Sequence, residues 1–257
     1  MLLRHDGNQV ICITQPAHSR VSGQFARAWG NSHFHKIPEE VCLAAELHDL
    51  GFLEWEQSPT LNPETGWPHT FMDLPNDAHL ALWSTGVEQL RLIQEYAALL
   101  ASLHYTWLAE KHPVLAPLSE RRLQENFVRK QIAIQADLLA VLRKQTVFGP
   151  LCGDEPLASY RRCIAVWDWM SLVLGMGADQ EKVFVGVPGL SGLVDIKIIP
   201  CRQPNEPIRI VPWPFAVEKM RVVFPGRRLG HPYQDQAAMR QDLAAASVEY
   251  VVVELAP

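Results

Sequence analysis

Residues 41–51 of the chain read VCLAAELHDLG, an apolar helical pattern that ends in a His48-Asp49 doublet and a glycine. Because Gly51 is a typical helix stop, Asp49 falls in the last helical turn, where the macrodipole disfavours a carboxylate. The apolar run before it disfavours the charge again through partial desolvation. A bound cation would compensate both costs. The alternative is a solvated aspartate at a helix end, beside a histidine of the core.

Asp168 lies in an equally apolar stretch, since residues 163–174 read CIAVWDWMSLVL. It is the sole charged residue there, and buried aspartates are rare unless they are paired, hydrogen-bonded or bound to a metal. A salt bridge to a distant arginine would meet the same electrostatic need. The stretch therefore predicts either a buried ion pair or a metal ligand.

Three further histidines, His18, His79 and His104, fall on other predicted helices. Each alone has an ordinary explanation, such as a surface cap or a core imidazole bonded to a carbonyl. Together with the doublet and Asp168 they give four imidazoles and two carboxylates, a donor set that suits Fe, Mn, Mg or Zn. We therefore predict one or two divalent metal ions, with Asp49 able to bridge a pair.

The chain divides into a helical part and a β part. Residues 1–14 predict a hairpin, and helical signals follow near 16–29, 38–50, 76–79, 86–110, 119–145 and 156–174. After Gly177 the period becomes two, which predicts strands at Lys182–Val187, Leu193–Ile199, Pro207–Val211, Met220–Phe224 and Val248–Leu255, with a helix near 235–246. We expect one domain over residues 1–257. Its helical core would span 15–178, and 1–14 with 181–255 would form a β-sheet subdomain.

Composition excludes several classes of protein. The 257 residues carry a net charge of −5, so no global basic field attracts nucleic acid or an anionic membrane. No signal peptide is evident, and no apolar run reaches the roughly 20 residues that span a bilayer. Five scattered cysteines without a CxxC pair predict neither a disulfide framework nor a thiolate zinc site. We expect a cytoplasmic protein, open to homo-oligomer formation, whose partner is a small-molecule substrate.

The ordered ligand series resembles the HD superfamily of metal-dependent phosphohydrolases, helical proteins named for their His-Asp doublet. Their core pattern is a histidine, a His-Asp pair and a later aspartate, which His18, the doublet and Asp168 match in order. Some branches insert two further histidines for a second metal, and His79 and His104 match them. The resemblance implies one ion held by His18, His48, Asp49 and Asp168, and a second held by Asp49, His79 and His104.

A closer resemblance covers nearly the whole chain. It is to an uncharacterised bacterial family, a domain of unknown function with an HD-like fold. The matching segments are QPAH at 15–18, AAELHDLGF at 44–52, TGWP at 65–68 with Phe71, LLASLH at 99–104, DWMSL at 168–172 and PWPF at 212–215. Phe52 departs from the family, where a tryptophan is expected, but this apolar change leaves the ligands untouched. The implied fold is α+β and mainly α: an HD-domain or phosphodiesterase-like helical bundle, with a C-terminal β-sheet joined by the N-terminal hairpin.

The resemblance to the superfamily implies hydrolysis of a phosphomonoester or phosphodiester, with nucleotides among the candidate substrates. His48 and Asp49 are the catalytic candidates. Two alternatives stay open. A di-iron oxygenase of the HD fold would use the same six ligands, and a non-catalytic HD scaffold would only bind a ligand.

Substrate contacts are expected from one arginine and from aromatic residues in and beside the loop at 57–75. Arginine binds phosphate bidentately, and aromatic rings stack on planar groups. The candidates are Arg20, Trp55, Trp67 and His69. Arg161 and Arg162 offer the same phosphate chemistry as Arg20. Packing of the loop onto the helices is the alternative role for its aromatic residues.

Overall fold

The computed structural model describes residues 1–111, 118–201, 203 and 206–257. Its helices lie mostly in the first two thirds of the chain. They are α1 (Gln15–Ala28), α2 (Glu39–Leu47), α3 (Leu53–Glu56), α4 (Asn76–Ile93), α5 (Glu95–Lys111), α6 (Leu118–Leu142), α7 (Asp154–Met176) and α8 (Gln236–Ala245). There are two short 3₁₀ turns: Leu50–Phe52 follows α2, and Gly149–Leu151 precedes α7. No helix in the described ranges is long and apolar enough to cross a membrane.

The strands form one seven-stranded mixed sheet in the order β1-β2-β6-β7-β5-β4-β3. They are β1 (Leu2–Asp6), β2 (Gln9–Ile13), β3 (Lys182–Gly189), β4 (Gly192–Ile199), β5 (Ile208–Val211), β6 (Met220–Leu229) and β7 (Val248–Ala256). The neighbours pair antiparallel except β5 and β7, which are parallel. The N-terminal hairpin turns at Gly7, whose positive φ of 61° suits a tight turn, and β2 then pairs with β6.

The expectation of an HD-type helical bundle is wrong. A C-terminal sheet exists, but it belongs to a curled seven-stranded layer of the fold. The physical reason is strand pairing: β6 and β7 share a long ladder from Met220 to Arg227, and the hairpin extends the sheet beyond it. This sheet packs on the helices where β6 contacts α1 and where β1 and β3 contact α7. Helices and sheet share a large hydrophobic core, in which Trp167 of α7 and Phe224 of β6 are fully buried. A second, smaller core lies between the N-terminal hairpin and α8 and includes Val10, Met239 and Leu243.

The helix predicted near 86–110 is also wrong, because two helices occupy that region. Gln94 adopts an extended conformation with φ −157° and ψ 118°, and it separates α4 from α5. The helix α5 then passes through the interior and contacts α2, α4, α6 and α7. Residues 96–101 of α5 are completely buried. Any ionisable side chain in the inner part of α5 is therefore held away from water.

Candidate metal centre

Four helical segments bring five of the six predicted ligands into one buried cluster. His18 comes from α1, the doublet from the end of α2, His104 from α5 and Asp168 from α7. The three imidazoles are at most 1% exposed, and the carboxylate residues Asp49 and Asp168 are 5% and 9% exposed. Because the carboxylates are the least buried members, the cluster is closest to water on their side.

The doublet owes its position to the turn that ends α2. His48 is still helical, whereas Asp49 leaves the helix at φ −99° and ψ 22° and begins the 3₁₀ turn. Gly51 in this turn lies directly against α4. A Cβ there would come within 2.1 Å of the Leu82 carbonyl oxygen and 2.6 Å of the Gly86 nitrogen. The glycine is therefore required by close backbone approach, which fixes the segment that carries both ligands.

Imidazoles and carboxylates alternate through the cluster. His18 Nε2 is 2.8 Å from Asp49 Oδ2, and His48 Nε2 is 3.5 Å from that same oxygen. His48 Nε2 is also 3.4 Å from Asp168 Oδ1, and His104 Nε2 is 3.2 Å from Asp168 Oδ2. The Nε2 atom of each of the three histidines therefore faces a carboxylate oxygen at 2.8–3.5 Å.

Hydrogen bonds around the cluster set the tautomers of two imidazoles. His48 Nδ1 donates to the Ala45 carbonyl at 2.8 Å. His18 Nδ1 lies 2.8 Å from Ser171 Oγ, and the Ser171 hydroxyl donates to the carbonyl of Asp168. Since that hydroxyl has one proton, Ser171 accepts from His18. Both rings thus carry a proton at Nδ1 and direct Nε2 inward, the arrangement typical of metal-bound histidines.

Several buried polar atoms of the cluster lack a hydrogen-bond partner among the described residues. They are His48 Nε2, both ring nitrogens of His104 and the hydroxyl of Tyr105. A buried polar atom without a partner costs about 1–3 kcal/mol. His48 and His104 bring nitrogens near carboxylates without suitable hydrogen-bond geometry, which is the pattern expected if a cation lies between them. The donor set of imidazole nitrogen and carboxylate oxygen fits Fe, Mn or Zn.

Two three-residue groups have ligand atoms within 4.8 Å of one another: His18, His48 and Asp49, and His48, His104 and Asp168. Both groups need His48. Its Nδ1 is bonded to the Ala45 carbonyl, so only Nε2 can bind a metal, and one lone pair serves one ion. The two groups therefore favour a single shared ion.

Charges within the cluster are strongly coupled. Burial alone lowers the pKa of His48, but Asp49 and Asp168 outweigh it and raise that pKa to about 9. Burial alone raises the pKa of each carboxyl, but the neighbouring imidazoles hold both pKa values below their usual range. Without a metal, the carboxylates are therefore ionised and His48 is protonated at neutral pH.

His79 lies beside the cluster and outside both three-residue groups. Its ring is 4.4 Å from that of Trp83 and 5.6 Å from that of Phe52. Burial lowers the pKa of His79 to about 4, although the Asp49 charge acts in the opposite direction. The second ion expected from Asp49, His79 and His104 has no matching group in the part of the chain that the structure describes.

The predicted substrate residues lie at separate places. Arg20 is exposed on α1, and Trp55 is half-buried in α3. His69 Nδ1 is hydrogen-bonded to Thr60 Oγ1 at 2.9 Å inside its own loop. Trp67 lines a groove of about 890 Å³ beside α7, together with Trp169. None of the hydrogen bonds or ring contacts of these four candidates in the described ranges reaches a ligand of the cluster.

Sequence reasoning missed three residues at the cluster. Ser171 orients His18, and the Gln15 amide donates to Asp49 Oδ2 at 3.3 Å. Tyr105 stacks on Trp83, with ring centroids 5.0 Å apart, and lies 5.9 Å from the His104 ring. Ser171 had a local signal, because it is a hydroxyl one turn after Asp168 in an apolar helix. The roles of Gln15 and Tyr105 depend on partners from other helices.

Comparison with known proteins places the chain in a family. The family model described as "Protein of unknown function (DUF3891)" matches residues 1–231. The chain matches no curated protein and no solved structure. The matched residues include every ligand of the cluster and most of the sheet. The chain therefore belongs to the DUF3891 family, an uncharacterised family of unknown function.

Proposed function

We propose that this protein is a metal-dependent phosphohydrolase acting on a phosphomonoester or a phosphodiester. The observation that carries the proposal is the set of inward-facing, unpartnered imidazole nitrogens between two buried carboxylates. When bound, a divalent ion supplies Lewis acidity that activates water and neutralises charge on a phosphoryl group. The order of the ligands in the sequence, a histidine, a His-Asp pair and a later aspartate, resembles that of metal-dependent phosphohydrolases and supports the same reaction class.

His18, His48, His104, Asp49 and Asp168 would hold the ion. Their two carboxylates would balance the charge of a bound divalent ion. Ser171 and the Ala45 carbonyl keep two of the imidazoles in the tautomer that offers Nε2. His48 and Asp49 also occupy the rigid turn against α4, so this part of the site needs little rearrangement to bind.

Tyr105 can act on the substrate directly. Its hydroxyl is buried and has no partner among the residues described. Burial raises the pKa of Tyr105 well above its ordinary value, and the nearby charges of Asp49 and Asp168 raise it further. The phenol therefore keeps its proton and serves as a hydrogen-bond donor to a phosphate oxygen.

Metal analysis and turnover test the proposal together. Protein purified without chelators should carry about one ion per chain, and it should hydrolyse members of a panel of phosphomonoesters and phosphodiesters in the presence of Mn²⁺, Mg²⁺, Fe²⁺ or Zn²⁺. Asp168→Asn should abolish both metal retention and turnover. The proposal fails if the protein holds no stoichiometric metal and no added ion produces turnover.

An iron-dependent oxygenase is the second candidate, and one observation favours it. Each of the two groups contains two histidines and one carboxylate, the ligand set typical of non-haem Fe(II) oxygenases. Iron-loaded protein would then consume O₂ together with an organic substrate. Hydrolysis with redox-inactive Mg²⁺ or Zn²⁺ would exclude this candidate as the main activity.

A further inference from the structure

A row of contacts leads from the cluster to Arg161. Arg161 precedes Asp168 by seven residues on α7, which places the two on one helix face about 10 Å apart along the axis. The Arg161 Cζ atom is 5.1 Å from the ring centroid of Trp107 on α5. The Trp107 ring is in turn 6.4 Å from the ring of His104, with the planes only 24° apart. Arg161 therefore belongs to the surroundings of the cluster.

The hydrogen-bonding capacity of Arg161 is not used within the described structure. Its Nη1 atom is buried and has no hydrogen-bond partner among the described residues. The neighbouring Arg162 is different, because it donates to the carbonyls of Val185 and Gly186 and so ties α7 to β3. A buried donor without a partner costs about 1–3 kcal/mol, and more when it is charged. Within the described residues, Arg162 therefore has hydrogen-bond partners, whereas Arg161 Nη1 has none.

The charges around Arg161 favour an anion. Lys111 Nζ lies 6.0 Å from the same Trp107 ring and adds a second cation on the α5 side. Burial and the adjacent Arg162 lower the pKa of Arg161, while Glu110 is the acidic neighbour that opposes them. Among the described residues, Arg161 and Lys111 thus lie at one indole ring, with Glu110 as the acidic neighbour of Arg161. The indole of Trp107 holds the guanidinium by a cation–π contact, which leaves its donor edge free.

We propose that Arg161 binds a second anionic group of the substrate, a phosphate or carboxylate whose separation from the hydrolysed phosphoryl group matches the roughly 10 Å between Arg161 and Asp168 along α7. The proposal rests on the proposed function and names its substrate class: phosphoesters with a distal oxyanion. The planar fork of arginine matches such a group bidentately. Arg161 is then a specificity-determining residue, Trp107 positions it, and Lys111 adds charge at the rim.

Matched substrates test the specificity. Hexane-1,6-diol bisphosphate, 6-phosphohexanoate and hexyl phosphate differ only in the distal group: a phosphate, a carboxylate or none. The metal-loaded protein should prefer a substrate with a distal anion by at least about tenfold in kcat/KM, as a charge-assisted hydrogen bond provides. Arg161→Gln should remove this preference through KM while hexyl phosphate turnover and metal content stay unchanged. Arg161→Lys should retain part of the preference, and Arg91→Gln, an exposed charge loss on α4, should retain all of it.

Calorimetry on the metal-free protein separates this inference from the proposed function. The bisphosphate should bind the wild type, and Arg161→Gln should weaken that binding at least about tenfold without lowering the melting temperature. If no phosphoester is turned over, the proposed function fails, but this titration still decides the role of Arg161. Equal binding to wild type and Arg161→Gln, or no binding to wild type, would overturn the inference. The comparison of bisphosphate with 6-phosphohexanoate tells which oxyanion the site prefers.

Discussion

Two buried polar clusters lie on opposite faces of α5, and their hydrogen bonding differs. One joins α5 to α6: Ser102 donates to Gln131 at 2.7 Å, and the Gln135 amide donates to Ser102 at 3.0 Å and to Thr106 at 2.9 Å. The other is the candidate metal centre, to which α5 contributes His104. We call the first the amide network. None of its side-chain atoms is among the unpartnered polar atoms of the described structure, whereas His104 has two such atoms.

We infer from this difference that the amide network has a structural role and that the other cluster has a functional one. In a closed network such as the amide network, the hydrogen bonds offset the cost of burying the polar groups, and no ligand is required. The metal centre places ionised carboxylates and unpartnered nitrogens in an equally dry environment, where such groups are costly unless a ligand completes them. Both clusters are polar and buried, so burial of polar residues alone does not indicate a binding site. Buried polar atoms without a hydrogen-bond partner are the feature that indicates one.

The largest expected effect is loss of the metal in His48→Gln. His48 belongs to both three-residue groups, so its removal breaks each of them. We expect the affinity for Mn²⁺ or Zn²⁺ to fall at least about a hundredfold. Loss of a residue that only orients a ligand lowers metal affinity about 10–100-fold, and loss of the ligand itself should lower it further. Metal analysis after dialysis measures it. Retention of one ion per chain would show that His48 is a core histidine.

A matched pair of serine variants gives the next largest effect. Ser171→Ala removes the hydroxyl that orients His18, and we expect metal affinity to fall about 10–100-fold, the usual cost of losing such a partner. Ser102→Ala removes an equally buried hydroxyl from the amide network and should leave metal affinity unchanged. Competition with a chromogenic chelator measures both. Equal losses of metal affinity in the two variants would contradict the distinction between the clusters.

The buried cluster of histidines and aspartates was more predictable from the sequence than the fold that holds it. His48, Asp49 and Asp168 stand out because an ionisable residue in an apolar helix carries a cost that is visible locally. The individual strands were also visible, since the alternation in Leu193–Ile199 matches β4 closely. The way in which the strands assemble into a sheet was not visible in the sequence. The parallel pairing of β5 with β7 and the antiparallel pairing of β2 with β6 join residues far apart in the chain, and local periodicity carries no record of them.

The pH dependence of metal binding follows from the charge state of His48. Because Asp49 and Asp168 raise the pKa of His48 to about 9, the metal-free protein holds a proton on the nitrogen that must bind the ion. Metal affinity should therefore rise about tenfold per pH unit up to about pH 9. Calorimetry in buffers of different ionisation enthalpy should detect release of one proton at pH 7. Absence of proton release would contradict this charge assignment.

The same pKa predicts the opposite trend in the stability of the metal-free protein. The folded pKa of His48 lies above the ordinary value of 6.5, so its interaction with the carboxylates contributes fully below about pH 6.5. That contribution is lost as the pH rises through about 9. Melting temperatures of chelated wild type and of His48→Gln should therefore show a larger decline for wild type over this range. Parallel curves would contradict the prediction.

The smallest expected effect belongs to Thr106→Val in the amide network. The change keeps the shape of the side chain but removes the acceptor for Gln135 and the donor to the Ser102 carbonyl. It should lower the free energy of unfolding by about 0.5–1.5 kcal/mol, the net value of a neutral hydrogen bond. Denaturant titration with and without metal measures it. Since the amide network binds no ion, the stabilisation gained from metal should be the same in Thr106→Val and wild type, whereas Ser171→Ala should reduce it. A reduced gain in Thr106→Val would mean that the two faces of α5 act as one unit, and that a complete set of hydrogen bonds does not separate structural from functional clusters in this protein.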